Sequence, residues 1–189
     1  MAMTARYWKK INSCWVYRNS WIKIREDKVI RPDGKKGIYA VLEKPAGSFI
    51  IPRDKKGNIY LIRECRYPIQ KEVWQLPAGV VDGDTPLERA KKELWEETGI
   101  RAKRWEKLGG FYVGLGHETT FIYVFLATSL DFSFLKVDHQ EGDEAILEIK
   151  KVSLSMLKKM VVEGKIICGI TLAALNLFFL KEKLARKEQ

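Results

Sequence analysis

Apolar and polar residues alternate through the first third of the chain. Trp21-Ile22-Lys23-Ile24-Arg25 has the period of a half-buried strand, Pro32-Asp33-Gly34 supplies turn chemistry, and Ile38 to Leu42 reads as the returning strand of a hairpin. Lys44-Pro45-Ala46-Gly47 breaks the pattern and separates an N-terminal β lobe, residues 1–46, from a main domain, residues 47–189. Ser48 to Ile51 and Ile59 to Ile62 flank the polar turn Asp54-Lys55-Lys56-Gly57-Asn58 and read as the opening strands of the main sheet. A well-signalled helix follows, with Thr85 as N-cap, Pro86 at the first helical position, Glu88 reaching back, and Gly99 at the left-handed C-terminal position. Leu87, Ala90 and Leu94 share one face of it and are expected in the core. Strands are expected near Leu108–Val113, Phe121–Leu126 and Ile146–Lys151, and helices near Ser153–Glu163 and Ile170–Lys187. This interleaving suits a mixed α/β sandwich better than an all-β barrel.

Composition narrows the class. The 189 residues allow one domain, or one plus a small lobe. With 46% hydrophobic and 31% charged residues, disorder, collagen and a disulfide scaffold are excluded. Cys14, Cys65 and Cys168 form no metal-spaced pair, which points to a reduced, cytoplasmic setting. The N-terminal residues lack the apolar region of a secretory signal. The uncharged run Ile166 to Leu180 is shorter than the roughly 20 residues of a membrane span and reads as a buried helix. The net charge of +10 favours an anionic partner without choosing among metabolite, nucleic acid and membrane.

The mid-chain helix carries too many carboxylates for a bare helix. Glu96 lies about 60° to one side of Glu93 and Glu97 about 40° to the other, so all three share a face. Like charges at these spacings cost roughly 0.2–0.5 kcal/mol per pair. The negative end of the helix dipole adds roughly 0.3–1 kcal/mol each. A divalent cation that seeks oxygen ligands would offset this. The plain alternative is a solvated acidic face on which Arg89 pairs with Glu93, four residues on.

Residues Gly79 to Ile100, GVVDGDTPLERAKKELWEETGI, resemble the Nudix box, the loop–helix–loop metal site of hydrolases that cleave nucleoside diphosphates linked to another moiety. Ile62-Arg63-Glu64-Cys65-Arg66-Tyr67-Pro68, Gln75-Leu76-Pro77-Ala78-Gly79, Gly109-Gly110-Phe111-Tyr112 and Glu163-Gly164-Lys165-Ile166 resemble the ADP-ribose pyrophosphatase branch of that family. The resemblance implies an α/β/α sandwich with a mixed sheet, an N-terminal antiparallel β lobe that serves in dimerisation, and Mg²⁺ (or Mn²⁺) as cofactor. Two departures stand out. The loop before Asp84 is one residue shorter than in the family, and Lys92 replaces an arginine that orients the acidic cluster. A lysine cannot reproduce the planar fork of an arginine, although the changes at positions 84 and 92 can compensate each other.

The resemblance also assigns roles. Glu93 and Glu97 would coordinate the metal, with Glu96 as a further or water-mediated ligand and the Ala78 carbonyl beside them; Glu97 is also counted as catalytic. The catalytic base would come from the acidic loop Gln140 to Glu144, with Glu144 first and Glu141 next. Arg66 would contact substrate phosphates, Glu118 would face the substrate, and Trp21 would stack on the base, a core tryptophan being the alternative. Leu115-Gly116 stands where ADP-ribose enzymes have a Pro-Gly pair, and His117 reads as peripheral.

The expected activity is hydrolysis of ADP-ribose, or a related nucleoside diphosphate sugar such as GDP-mannose, to a nucleoside monophosphate and a sugar phosphate. A sensor that binds nucleotide sugars without cleaving them is the rival from another class. A nucleic-acid groove is the third reading, because Tyr7, Trp8, Trp15, Tyr17 and Trp21 interleave with Lys9, Lys10, Arg18, Lys23 and Arg25. The same alternation fits strands with apolar faces. The reading adopted is therefore a homodimer with a small nucleoside diphosphate partner, and with neither nucleic acid nor membrane as partner.

Overall fold

The computed structural model describes residues 7–133 and 146–185. They form two compact units, one comprising residues up to Pro45 with Tyr112–Phe121, the other Ala46–Phe111 with residues from Ile122 onward.

The first unit is an antiparallel sheet of β1 (Lys9–Arg18), β2 (Lys23–Ile30) and β3 (Lys36–Glu43), in that order. The turn before β2 is set by Asn19, whose Oδ1 accepts the N–H groups of Trp21 and Ile22 at 2.9 and 2.8 Å. The strand therefore begins at Lys23, and Trp21 stands 72% exposed in the turn, which overturns a core role for it. Gly34, at φ +82°, closes the β2–β3 hairpin in a conformation that costs other residues strain. The 112–121 segment docks on β3 through Leu42, whose N–H donates to His117 O and whose carbonyl accepts from Thr119 N–H. β1 is exposed along its whole length.

The second unit has two sheets. One is antiparallel in the order β10 (Ile146–Val152), β5 (Ile59–Arg66), β6 (Lys71–Gln75). The other runs β7 (Ala78–Val80), β4 (Gly47–Pro52), β9 (Phe121–Asp131), β8 (Arg101–Tyr112), with β4 and β9 parallel. β4 and β5 thus lie in different sheets instead of opening one. The turn between them holds because Asp54 Oδ1 accepts the Lys56 and Asn58 N–H groups and Asp54 N–H donates to Asn58 O, with Arg53 and Ile59 forming an isolated bridge just outside.

Successive strand residues face opposite ways, so Ile50 and Ile51 enter different cores. Ile50 and Phe125 meet Ala90 and Leu94 of α1 (Pro86–Thr98); Ile51, Leu61 and Val124 meet Leu157 of α2 (Leu154–Val162) and Leu175 and Phe178 of α3 (Gly169–Ala185). Helices thus cover both faces, as an α/β/α sandwich requires. Both arms of the α1 capping box are present: Glu88 N–H donates to Thr85 Oγ1, and Thr85 N–H donates to Glu88 Oε2 at 2.9 Å. Gly99 ends the helix at φ 65°. Among the described residues no helix is long and apolar enough to cross a membrane.

Candidate functional site

The site grows from one pinned loop. Before β7, Leu76 N–H donates to the buried Thr171 hydroxyl of α3 at 3.2 Å, and Ile50 N–H donates to Pro77 O at 2.9 Å. Ala78 N–H donates to Glu97 Oε2 at 2.8 Å, and Val81 N–H donates to Ala46 O at 2.8 Å. With its backbone groups shared among α3, β4 and α1, the 76–81 segment has little freedom left.

The acidic face of α1 meets that loop. Glu93 is 1% exposed and Glu97 5%, whereas Glu96, on the edge of the same face, is partly exposed. A solvated acidic surface does not bury two of its three carboxylates. The Arg89–Glu93 pair of the plain alternative does form, at 2.6 Å, but its carboxylate end is inside the protein. A Cβ at Gly79 would fall on the Glu93 carboxyl group, so glycine here is the space that the carboxylate occupies.

Lys92 and Asp84 fit each other. Lys92 Nζ lies 2.8 and 3.1 Å from the two Asp84 oxygens, and Asp84 holds its ammonium group above the ordinary lysine range, first by hydrogen bonding and then by charge. The shorter loop and the lysine thus close on one another.

A second cluster lies on β5 and β6. Arg66 Nη1 lies 2.9 Å from Glu64 Oε1, its Nε donates to Gln75 Oε1 at 3.2 Å, and Gln75 Nε2 donates to Glu64 Oε2 at 2.8 Å. Glu64 and Gln75 are buried and Arg66 is exposed, so the guanidinium is held from behind and presented outward. Glu64 and Gln75 were missed in the sequence. Their signal was available: Glu64 is two residues from Arg66 on a strand, hence on the same face.

Glu118 and Trp21 belong to the first unit. There Glu118 Oε2 accepts from Thr120 Oγ1 at 2.7 Å, and with Trp8, Lys10, Asp27 and Tyr39 it lines a pocket of about 340 Å³. His117 is largely exposed. Burial works to raise the Asp27 pKa, but hydrogen bonds from Ser13 and Arg25, with the charges of Arg25 and Lys10, outweigh it and hold the carboxyl below the ordinary range. Glu141 and Glu144 lie outside the described residues.

The donors around the loop are carboxylate and carbonyl oxygens, the ligands of hard divalent cations. Among the described residues no three acidic, histidine or cysteine groups form a ready-made cage. Two buried glutamates on one helix face, one of them accepting from the Ala78 N–H, fit a hard divalent cation that takes further oxygens from water and substrate phosphates.

Comparison with known proteins agrees with this geometry. The NUDIX domain profile matches residues 43–166, and the profile of the nucleoside diphosphate sugar hydrolase N-terminal domain matches residues 8–42. The chain is 27% identical to the ADP-ribose pyrophosphatase of Bacillus subtilis (strain 168), across 89% of this chain and 91% of that protein. It is also 27% identical to the ADP-ribose pyrophosphatase of Mycobacterium tuberculosis, across 90% and 83%. A solved structure titled as an ADP compounds hydrolase superposes with a TM-score of 0.80 at 18% identity, covering 95% of each chain. The capped helix, its buried glutamates and the loop they grip, together with a profile match across well over half the sequence, make this chain a member of the Nudix hydrolase family.

Proposed function

We propose that this Nudix hydrolase uses Mg²⁺ to cleave the diphosphate of ADP-ribose, or a related nucleoside diphosphate sugar, to a nucleoside monophosphate and a sugar phosphate. The observation that carries the reading is the pair of buried carboxylates, Glu93 and Glu97, set against the Ala78–Gly79 loop. The named activities of the B. subtilis and M. tuberculosis relatives support the substrate class.

Glu93, Glu97 and the Ala78 carbonyl would hold the metal, with Glu96 as a further ligand. When bound, the ion neutralises phosphate oxygens and polarises the attacking water. Arg66, fixed by Glu64 and Gln75, meets a substrate phosphate with its outward donors. Glu144, or Glu141 after it, takes the proton of the attacking water. Glu118 and Trp21 contribute to substrate recognition from the N-terminal unit. That unit also serves as the dimerisation element, a role supported by the exposure of Ile11, Trp15 and Val16 on β1. The free cysteines suit a cytoplasmic location.

The test is a panel of nucleoside diphosphate derivatives, including ADP-ribose and GDP-mannose, with Mg²⁺ and phosphatase-coupled detection of released phosphate. Metal-dependent cleavage of a sugar derivative, reduced by several orders of magnitude in Glu97→Gln and abolished by EDTA, is expected. Saturable binding without turnover would place the chain among sensors instead, and a monomeric mass in light scattering would remove the dimer.

A further inference from the structure

On the main unit, between β6, β10 and the start of α2, lies a cleft of about 610 Å³ whose lining includes Trp74, Lys150, Lys151, Met156, Met160 and Lys165. We propose that this cleft binds a small phosphorylated molecule with an apolar body, at a site separate from the Arg66 and glutamate clusters.

The separation follows from the strand. Trp74 and Gln75 are consecutive on β6 and project to opposite faces of its sheet. Gln75 joins the Glu64–Arg66 cluster, so the Trp74 cleft is on the reverse side.

The charge points to an anion. Three lysines line the cleft and no carboxylate does; of the two on β10, Lys150 shares the face of Trp74, while its neighbour Lys151 starts from the opposite face of the strand. Of the neighbouring acids, Glu72 and Glu148 both pair with Arg63, while Glu163, shared between Lys159 at 3.6 Å and Lys165 at 2.8 Å, offsets one of the three lysines and leaves the charge of the cleft to Lys150 and Lys151. Lys150 and Lys151 make no ion pair among the described residues. Surface lysines usually wave in water, but here Trp74 holds one in place, with Lys150 Nζ 5.1 Å from its ring centroid and Arg63 at 5.7 Å. Ser153, the N-cap of α2, also lines the cleft and adds the positive end of a helix to the same field.

The floor points to an apolar partner. Val152 and Met160 are almost wholly buried, while Met156 is 47% exposed on the wall, giving a pliant thioether surface. Charges beside such a wall act in less water and attract more strongly. The volume lies within the range of about 300–1,000 Å³ usual for small-molecule sites. Lysine suits phosphate as a compact point charge.

The test is ¹H–¹⁵N NMR of the full chain in EDTA, titrated with phenyl phosphate and, separately, with inorganic phosphate. Saturable shifts are expected at the Trp74 indole N–H, at the amides of Lys150 to Ser153, and at Met156 and Lys165, while Arg66, Glu93 and Glu97 stay unmoved. Phenyl phosphate should bind more tightly than inorganic phosphate. Lys150→Ala/Lys151→Ala should weaken its Kd roughly tenfold or more, and Lys150→Arg/Lys151→Arg should retain it. The wild-type map alone decides the matter if the alanine variant does not fold. Shifts centred on Arg66, no saturation at millimolar phenyl phosphate, or a response only to single-stranded RNA or anionic vesicles would overturn the proposal.

Discussion

Gly79→Ala is the most demanding test of the site as built. Gly79 does not have a positive φ, so alanine meets no backbone strain there and would ordinarily gain about 0.4–1 kcal/mol from the stiffer unfolded chain. The obstacle is the Glu93 carboxyl group, which occupies the place of the new methyl. Glu93 must swing aside, away from its 2.6 Å partner Arg89, although the Glu93 side chain is only 2% exposed. Breaking a fully buried pair costs about 3–5 kcal/mol; Arg89 is 29% exposed, which discounts this towards about 2–3 kcal/mol. After the entropic gain, about 2 kcal/mol of net destabilisation remains, or a fall in Tm of roughly 4–8 °C for a chain of this size. Displacing Glu93 by about 1 Å should lower kcat about 100-fold in a protein that circular dichroism shows to be folded at the assay temperature. Glu93→Asp in the same chain shortens the acid by one methylene and should recover part of the lost stability, a coupling that a double-mutant cycle measures. Gly83→Ala serves as the control, because its φ of +74° imposes strain with no atom within 4 Å. Wild-type kcat and Tm in Gly79→Ala would refute the claim that Glu93 rests against this loop.

Other expectations test separate parts of the structure. Thr85→Ala removes the N-cap of α1 and should cost about 1 kcal/mol, seen as a Tm lower by roughly 2–4 °C; no change would mean the capping box carries no stability. Glu64→Gln releases the back of Arg66 and should raise KM for a diphosphate substrate several-fold with kcat nearly unchanged, whereas a pure kcat effect would contradict the positioning role. Asp27 has a lowered folded pKa, so its contribution is present above the ordinary value of 3.8 and fades as pH falls through the lower folded value. Acid titration followed by tryptophan fluorescence should therefore show that Asp27→Asn flattens the loss of stability below about pH 4, and a parallel curve would count against the Ser13–Asp27–Arg25 network.

Local chemistry carried much of this protein in its sequence. Thr85, Pro86, Glu88 and Gly99 bound α1 because a cap is satisfied by residues within one turn, and the 100° step alone puts Glu93, Glu96 and Glu97 on one face. Which of those carboxylates are buried was a matter for the tertiary structure, since burial depends on the Ala78–Gly79 loop, brought up by β4 and by Thr171 of α3. The same limit explains β4 and β5. Their alternation marks them as strands, but nothing local says that a tight turn sends them into two sheets, because partners such as β9 and β10 lie many residues away. The compensation between Lys92 and Asp84 could be suspected from residue types, yet only the curvature of the loop brings the ammonium onto both oxygens. Short-range periodicity and caps need only neighbours in sequence; the pinning of Arg66 by Glu64 and Gln75 needs two strands in register, and register is fixed by the fold as a whole.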